Sequence, residues 1–536
     1  MTMEQFAPLM FLGLVFVMLI GFPVAFSLGA LGLYCGFYAI EMGWFPANFL
    51  NNLPLNIFGI LANELLLAIP FFTLMGSLLE KCGLAEDMLD SMGQLFGPVK
   101  GGLGYSVIIV GFILGAITGT VAGQVIAMAM ISLPVMIRYG YDMRYATGVL
   151  AASGTITQLV PPSLVLVVMA DQLGQSVGDM YKGAWGPSIL QIILFALYTF
   201  ILTRLRPHAL PGVPLEARTL KGWALWAKCL RGIIPSAVLI FAVLGSMGGL
   251  PGIDTAIATP TEAGAMGTIG AIVLAVVRNA PLTRLDKWIF AAGIVAALLG
   301  VVVGVFAFKS LLFKALFTVM FGTIIWYCWL GWKTKEQHDL IVEAFRATMR
   351  ISSMVAFILV GATCFSITFQ GVDGNLWVEH MLTSLPGGVW GFLVVVNLFV
   401  FFLAFFLDFF EIAFIIVPML APVAQKILAP VVGADAALIW FGVMICVNVQ
   451  TSFMHPPFGF ALFYLRSVAP KEVKSSDIYW GSIPWVLLQL VMVAIVIAVP
   501  QSVTFFLDKP SDVDPSKVKI EIQAPPSEDA PPPVFK

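Results

Sequence analysis

Charged residues are scarce in this sequence. Only 11% of the 536 residues are Asp, Glu, Lys or Arg, against about a quarter in an ordinary soluble domain. Hydrophobic residues make up 60% of the chain, and the mean hydropathy is +0.97. A soluble chain of this length needs polar surfaces for several domains, and the sequence has too few polar residues to build them. The net charge of −2 also provides no basic surface for nucleic acid.

Residues that carry enzyme chemistry are few as well. The chain has four histidines, six scattered cysteines and no C-x-x-C pair. It lacks the H-E-x-x-H, G-x-S-x-G and G-x-x-x-x-G-K-[ST] motifs, which argues against a membrane enzyme and against ATP as the direct energy source. No Lys or Arg precedes the first apolar run, so we expect that run to remain as a helix and not to be cleaved as a signal peptide.

Long apolar runs are what the sequence has in abundance. Each is long enough to cross the ~30 Å hydrocarbon core of a bilayer, and several exceed one crossing and carry Gly or Pro near the middle. Such runs are typical of broken helices and re-entrant hairpins. We predict an all-α polytopic membrane protein with about 12 to 15 membrane elements. The polar, proline-rich tail 508–536 is predicted to be disordered.

The distribution of charge between the apolar runs indicates sidedness. Basic residues concentrate at 204–231, 278–287 and 332–350, which we interpret as cytoplasmic loops. The segments 245–258 and 371–386 hold acids and no Lys or Arg, and we assign them to the opposite face.

A weak internal repeat relates the two halves. One copy contains "GAITGTVAGQ", "SLPVM", "YGYD" and "TQLVPPSLVL", and the other contains "AFFLDFFEIA", "MLAPVA", "VGAD" and "TSFMHPPFGFAL". Pro134 corresponds to Pro422, and Pro161–Pro162 correspond to Pro456–Pro457. Proline removes a backbone donor and glycine permits non-helical turns, so each copy predicts interrupted helices. Unwound backbone at membrane depth is tolerated where it is buried or lines a cavity, and secondary transporters place their binding site between such repeats.

These motifs resemble those of the large permease subunit of the TRAP (tripartite ATP-independent periplasmic, DctM-type) transporters. The family's Ser-Gly-Ser corresponds to residues 118–120 (Thr-Gly-Thr), and its Ile-Pro-Pro-Ser to residues 160–163 (Val-Pro-Pro-Ser). Its Thr-Pro-Thr-Glu-Ala is intact at 259–263, and its Met-Asp-Pro corresponds to 407–409 (Leu-Asp-Phe). Its Thr-Pro-Pro-Val-Gly corresponds to 455–459 (His-Pro-Pro-Phe-Gly). The resemblance covers roughly residues 5–280 and 340–507.

The resemblance implies an inverted-repeat, elevator-type transporter of the bacterial inner membrane. In such a transporter a mobile domain holds the substrate and the coupling sodium ions. It further implies a small four-helix membrane subunit (DctQ-type), a periplasmic binding protein (DctP-type) and an organic acid substrate such as a C4-dicarboxylate or 2-oxo acid. We expect the first repeat and its connecting helices within 1–250, and the second within 251–507.

A departure from the family, an apparent pair of extra helices near 285–335, interrupts the second repeat. His455 stands where the family has threonine, and we expect this departure to bear on ion or substrate preference.

Acidic and hydroxyl residues at the predicted interruptions are the candidates for sodium binding. Asp408 and Glu411 interrupt an apolar run, and an acid at membrane depth indicates function, although it can equally cap the next half-helix. The hydroxyl and backbone oxygens of 118–120 suit a hard cation, and small residues also serve close helix packing. Thr259 and Glu262 have the spacing of a capping box. The candidate sodium-site residues are Thr118, Gly119, Thr120, Thr259, Thr261, Glu262, Asp408, His455 and Pro456.

Polar side chains precede each Pro-Pro pair and are the candidates for substrate contact. So many hydrogen-bonding groups inside apolar segments need partners. The candidate substrate-site residues are Ser153, Thr155, Ser163, Asn448, Gln450, Thr451 and Ser452. Besides the tripartite symporter, a stand-alone ion-coupled carboxylate transporter or antiporter of a related fold remains open from the sequence.

Overall fold

A computed structural model describes residues 3–214, 216, 222–253, 256–307, 310–456 and 459–507, and the predicted disordered tail lies outside these ranges. The described residues form helices and no strands. One group of helices, which we call the frame, comes from two separate parts of the chain. The frame helices are α1 (Met3–Ile20), α2 (Val24–Glu41), α3 (Asn52–Leu61), α4 (Glu64–Lys81), α5 (Leu84–Phe96), α11 (Trp223–Ser246), α12 (Pro260–Asn279), α13 (Arg284–Ala307), α14 (Leu311–Lys333), α15 (Lys335–Gly371) and α16 (Gly374–Thr383).

The remaining helices form two units with the same order of elements. Each unit has a hairpin of two helices, then a helix broken at a proline, then one long helix. The first unit is α6 (Gly102–Thr118), α7 (Val121–Arg138), α8 (Met143–Thr155), α9 (Leu164–Gln172) and α10 (Val177–Leu205). The second unit is α17 (Gly388–Leu403), α18 (Phe409–Glu411), α19 (Val417–Val432), α20 (Ala434–Val449), α21 (Phe460–Val468) and α22 (Ser475–Ala498). A short helix, α23 (Gln501–Thr504), follows the second unit.

The lengths and apolar composition of these helices confirm an all-α polytopic membrane protein. Within the described ranges ten helices are long and apolar enough to cross a bilayer, and the pair Ala47–Leu61 and Glu64–Lys81, bent by 45°, makes an eleventh span. Three shorter apolar helices, at Gln5–Met18, Gly102–Ile117 and Gly388–Leu403, add to them. This arrangement agrees with the predicted 12 to 15 membrane elements.

The interpretation of 332–350 as a loop is wrong. Thr334 alone separates α14 from α15, and α15 runs unbroken for 37 residues from Lys335. Its polar first half is held as a helix because Gln337, Ile341 and Ala344 recur at helical spacing and are buried on one face. The basic residues there lie on a helix that extends beyond its apolar stretch.

The region 284–333 contains a packed pair of helices, α13 and α14. Thr283 begins α13 by bonding to Asp286. The indole of Trp326 donates to the Asp286 carboxylate over 2.9 Å, and the Tyr327 hydroxyl donates to the Asp286 carbonyl over 2.7 Å. Helix α14 also packs against α12 and α15, so this pair is attached to the frame.

The two units interlock with each other. Helix α22 of the second unit packs along α8 of the first, and α10 of the first packs against α20 of the second. The frame contacts the first unit chiefly through α4 and α5, which lie beside α6 and α7. The broken helices therefore lie in the interior of the molecule.

Close backbone contact between α2 and α15 holds the frame together. A β-carbon at Gly32 would lie 2.6 Å from the backbone of Cys364 and Phe365. The Thr368 hydroxyl also donates to the Gly32 carbonyl over 2.8 Å. Small residues at such crossings let membrane helices approach closely.

We expect Gly32→Ala to destabilise the protein by about 1–3 kcal/mol, the range for overpacking a filled interior. The thermal unfolding midpoint in detergent measures this. The matched control is Gly29→Ala on the same helix, because a β-carbon there meets no atom within 4 Å. Equal midpoints for the two variants would contradict a backbone-to-backbone contact at Gly32.

Candidate functional site

The tip of the first hairpin is built by one glycine and one threonine. Helix α6 ends at Thr118, whose side chain lies outside the described part of the structure, and α7 begins at Val121. Gly119 has φ +61°, a conformation that favours glycine, and Thr120 is extended. Thr120 does not cap α7 with its own side chain. The chain reverses here within two residues, at the position of the predicted interruption.

A buried amide attaches this hairpin to the first broken helix. The Gln124 side chain donates to the Gly111 carbonyl over 2.6 Å and to the Ser153 carbonyl over 2.9 Å. The Thr157 hydroxyl donates to the Gln124 carbonyl oxygen. Gln124 therefore joins α7, α6 and the break after α8 in one hydrogen-bonded network.

The tip of the second hairpin carries a reciprocal pair of acids. The Glu411 amide donates to the Asp408 carboxylate over 3.0 Å, and the Asp408 amide donates to the Glu411 carboxylate over 2.9 Å. This capping box starts α18, which continues through a π-helical turn, Ile412–Ile416, into α19. The structure therefore confirms the capping interpretation for Asp408.

A cavity of about 350 Å³ lies between this tip and the second broken helix. Asp408 and Ser452 line it, together with Phe460 of α21 and Met18 of α1. Ser452 belongs to a short 3₁₀ turn, Gln450–Phe453, that ends α20. The cavity thus brings together a predicted ion residue and a predicted substrate residue.

His455 lies against aromatic rings beside this cavity. Its ring stacks on Phe405 at 4.0 Å and meets Phe401 edge-on at 4.6 Å between centroids. Neither ring nitrogen is hydrogen-bonded to a side chain within the described ranges. His455 precedes Pro456 in the break, and Pro457 and Phe458 lie outside the described residues.

The breaks of the two units meet in the interior. Thr155, next to the first break, lies 3.8 Å from the Met454 sulfur at the second break. The Gln489 side chain of α22 donates to the Thr155 hydroxyl over 3.0 Å. One contact region therefore contains residues from both units.

Some predicted substrate residues already form hydrogen bonds with other groups of the protein. Ser163 caps α9 and donates to the Gln158 carbonyl, and the Thr451 hydroxyl donates to the Asn448 carbonyl. The Asn448 amide donates to the carbonyl and side-chain oxygens of Asn397 on α17. These groups stabilise the breaks themselves.

Three other predicted substrate residues keep polar atoms without a hydrogen-bond partner in the described ranges, and so does Asn448 at its side-chain oxygen. Ser153, Gln450 and Ser452 are buried, with 0%, 0% and 7% of their surfaces exposed. Their side-chain oxygens, and the Gln450 amide nitrogen, have no hydrogen-bond partner in the described part of the chain. Buried polar atoms are normally bonded, so these three are the best placed to receive a ligand.

Thr259, Thr261 and Glu262 lie at the start of α12 on the frame. Thr259 and Glu262 form the predicted capping box, with bonds of 2.8 and 3.3 Å. Thr261 donates to the Glu64 carbonyl at the start of α4 over 2.7 Å. Helix α12 packs on α4, α11, α14 and α15, so the observed contacts of this set are structural.

Four buried polar residues were not predicted from the sequence: Gln124, Asn397, Gln489 and Lys182. Each is a polar residue inside a largely apolar helix, and that isolation was the available signal. Lys182 is 2% exposed within α10. An ionisable residue at membrane depth is a functional candidate by default.

The comparisons with known proteins agree with this architecture. A family model described as "Tripartite ATP-independent periplasmic transporter, DctM component" matches residues 11–332 and, in a second match, residues 290–502. Together these matches cover almost the whole described chain.

Curated relatives align over most of their own length. The C4-dicarboxylate TRAP transporter large permease protein DctM of Pseudomonas aeruginosa is 26% identical over 463 residues, which is 86% of this chain and 90% of that protein. The 2,3-diketo-L-gulonate TRAP transporter large permease protein YiaN of Escherichia coli is 23% identical over 92% of this chain and 97% of its own. The sialic acid TRAP transporter permease protein SiaT of Haemophilus influenzae is 23% identical over 91% of this chain and 66% of its own.

These relatives are transport components and not enzymes. The extent of the family match and the ten helices of the described ranges that are long and apolar enough to cross a bilayer lead to the same assignment. The chain belongs to the DctM family, the large permease component of TRAP transporters, and is a multi-pass protein of the inner membrane.

Proposed function

We propose that this subunit couples inward sodium movement to the uptake of an organic acid: a C4-dicarboxylate, a 2-oxo acid or a similar carboxylate. A periplasmic binding protein delivers the acid, and a small four-helix membrane subunit completes the complex. The observation that carries the proposal is the cavity of about 350 Å³, which is lined both by Asp408 of the second hairpin tip and by Ser452 of the second broken helix.

The chemistry of the tips supports sodium as the coupling ion. Sodium is a hard cation that prefers oxygen ligands. Asp408 supplies a carboxylate at the second tip, and Gly119 and Thr120 supply unwound backbone at the first. Freed carbonyls of unwound membrane helices serve as cation ligands in transporters built from repeats.

The chemistry of the breaks supports an anionic substrate. Helices α9 and α21 begin directly after the breaks, and helix N-termini favour anions. Ser153, Gln450 and Ser452, which precede the two breaks in the chain, offer uncommitted donors and acceptors. The relatives named above transport C4-dicarboxylate, 2,3-diketo-L-gulonate and sialic acid, which are all carboxylic acids.

Coupling requires that sodium and substrate each raise the affinity for the other. Sodium beside Asp408 neutralises a charge that would otherwise repel a carboxylate in the same cavity. In this proposal the two units then move together against the frame, as in an elevator, and carry both ligands across the membrane.

Uptake into proteoliposomes tests the proposal. The vesicles contain this subunit with its small subunit, and the binding protein is added outside with a panel of labelled organic acids. We expect uptake that requires both an inward sodium gradient and the binding protein. Uptake driven by a proton gradient alone, or without the binding protein, would favour a stand-alone transporter.

A further inference from the structure

Glu80 lies near the end of α4, which belongs to the frame, yet its carboxylate reaches the tip of the first hairpin. A β-carbon at Gly123 would overlap both carboxylate oxygens of Glu80. Gly123 lies in the first turn of α7, directly after the tip formed by Gly119 and Thr120. The neighbouring Lys81 is paired with a different acid, Glu343 of α15, over 2.8 Å. The contact that places the Glu80 carboxylate is therefore the one with the hairpin at Gly123.

At the second hairpin tip, an acid of the hairpin itself takes the place that the Glu80 carboxylate takes at the first tip. There the N-cap residue is Asp408, and the third residue of the helix is Glu411, whose carboxylate closes the capping box. In the first hairpin the N-cap residue is Thr120, and the third residue is Gly123, which has no side chain. The space that a side chain at Gly123 would enter is filled by the carboxylate of Glu80.

We infer that Glu80 supplies, from the frame, the acid that closes the first hairpin tip, and that it is a positioning residue for the ion site there. The carboxylate is placed at the N-terminus of α7, an 18-residue helix, where negative charge is stabilising. The ion-site part of this inference rests on the sodium coupling proposed above, whereas the capping part does not.

The absence of a side chain at Gly123 follows from the same arrangement. Any larger residue there meets the Glu80 carboxylate. Removing Glu80 and placing an acid at 123 would convert the first tip into the form seen at Asp408 and Glu411. This exchange tests whether it is the carboxylate at the tip, rather than its origin in α4, that the hairpin needs.

The test uses the full-length subunit with its small subunit in lipid nanodiscs, in the variants Glu80→Gln, Glu80→Ala, Gly123→Glu and Glu80→Ala/Gly123→Glu. Hydrogen exchange of the amides of 121–124 reports the tip, and sodium-dependent thermal stabilisation gives the half-saturating sodium concentration. The matched control is Glu343→Gln, which neutralises the acid paired with Lys81.

We expect Glu80→Gln and Glu80→Ala to speed exchange at the start of α7 by about two- to fivefold, the effect of an acid at a helix N-terminus, and to raise the half-saturating sodium concentration. Gly123→Glu alone should unfold at lower temperature. The double variant should restore both tip readouts, and Glu343→Gln should change neither.

Unchanged exchange in Glu80→Ala would overturn the capping role. Altered exchange with an unchanged sodium dependence would overturn the positioning role at the ion site. If the wild-type protein itself shows no sodium response, the proposed coupling fails instead, and the exchange rates still decide whether Glu80 closes the tip.

Discussion

Replacing Asp408 by asparagine is expected to reduce sodium-driven uptake by about 10- to 100-fold, which corresponds to about 1.4–2.8 kcal/mol, with little loss of stability. Asparagine and aspartate are equally good N-caps, so the bond from the Glu411 amide persists. The variant removes only the negative charge that faces the cavity. Initial uptake rates in proteoliposomes, measured against sodium concentration, give the loss.

The chain offers a matched control for this substitution. Asp142 caps α8 in the same way, accepting from the Tyr145 amide over 3.0 Å. Asp142→Asn should therefore leave uptake and its sodium dependence unchanged. Asp408→Ala should in addition lower stability by about 0.5–2 kcal/mol, because it removes the cap. Wild-type sodium dependence in Asp408→Asn would remove Asp408 from the ion site.

The interruptions of the helices could be predicted from sequence because their causes are local. A proline deletes a backbone donor, and a glycine at φ +61° permits the reversal at Gly119. The same holds for the capping boxes at Thr259–Glu262 and Asp408–Glu411, whose partners lie three residues apart. Element order and helix breaks therefore followed from short stretches of sequence.

The contacts that assemble the site could not be predicted because their partners are distant in the chain. Glu80 and Gly123 are 43 positions apart, and Gln489 lies 334 positions from Thr155. Nothing in a single sequence indicates that a frame carboxylate fills the space beside a glycine. Hydrophobic composition determines that α4 and α7 cross the membrane, but it does not determine which of their faces meet.

One buried charged residue, Lys182, was not predicted because the apolar pattern of the sequence misplaces the start of its helix. Lys182 immediately precedes an apolar stretch that begins at Gly183, whereas α10 begins at Val177 and buries that lysine. A helix in a large bundle can enclose a charge that composition places at its edge, because neighbouring helices supply the burial. The same effect extended α15 into a segment with the composition of a loop.

The second large effect is expected from Gln124→Leu, which should destabilise the subunit by about 2–4 kcal/mol and abolish uptake. The substitution removes one donor group shared by two buried carbonyls, those of Gly111 and Ser153, and each loss costs about 1–3 kcal/mol. It also removes the acceptor of the Thr157 hydroxyl. Because Gln124 links α7 to both α6 and the first break, the tip that precedes it loses its fixed position. Thermal unfolding midpoints and uptake rates measure the two effects.

A double-mutant cycle with Thr157→Val separates this network from simple packing. Thr157→Val removes the hydroxyl that donates to Gln124 and leaves a side chain of similar shape. Groups in one buried hydrogen-bond network show coupling energies of about 0.5–3 kcal/mol, so Gln124→Leu/Thr157→Val should lose less stability than the sum of the single variants. Gln425→Leu serves as the control, because its side chain donates to the Ala434 carbonyl at an exposed site of α19 and should cost little. Additive losses in the cycle would mean that Gln124 acts through its volume, and the first tip would then depend on packing and not on the amide.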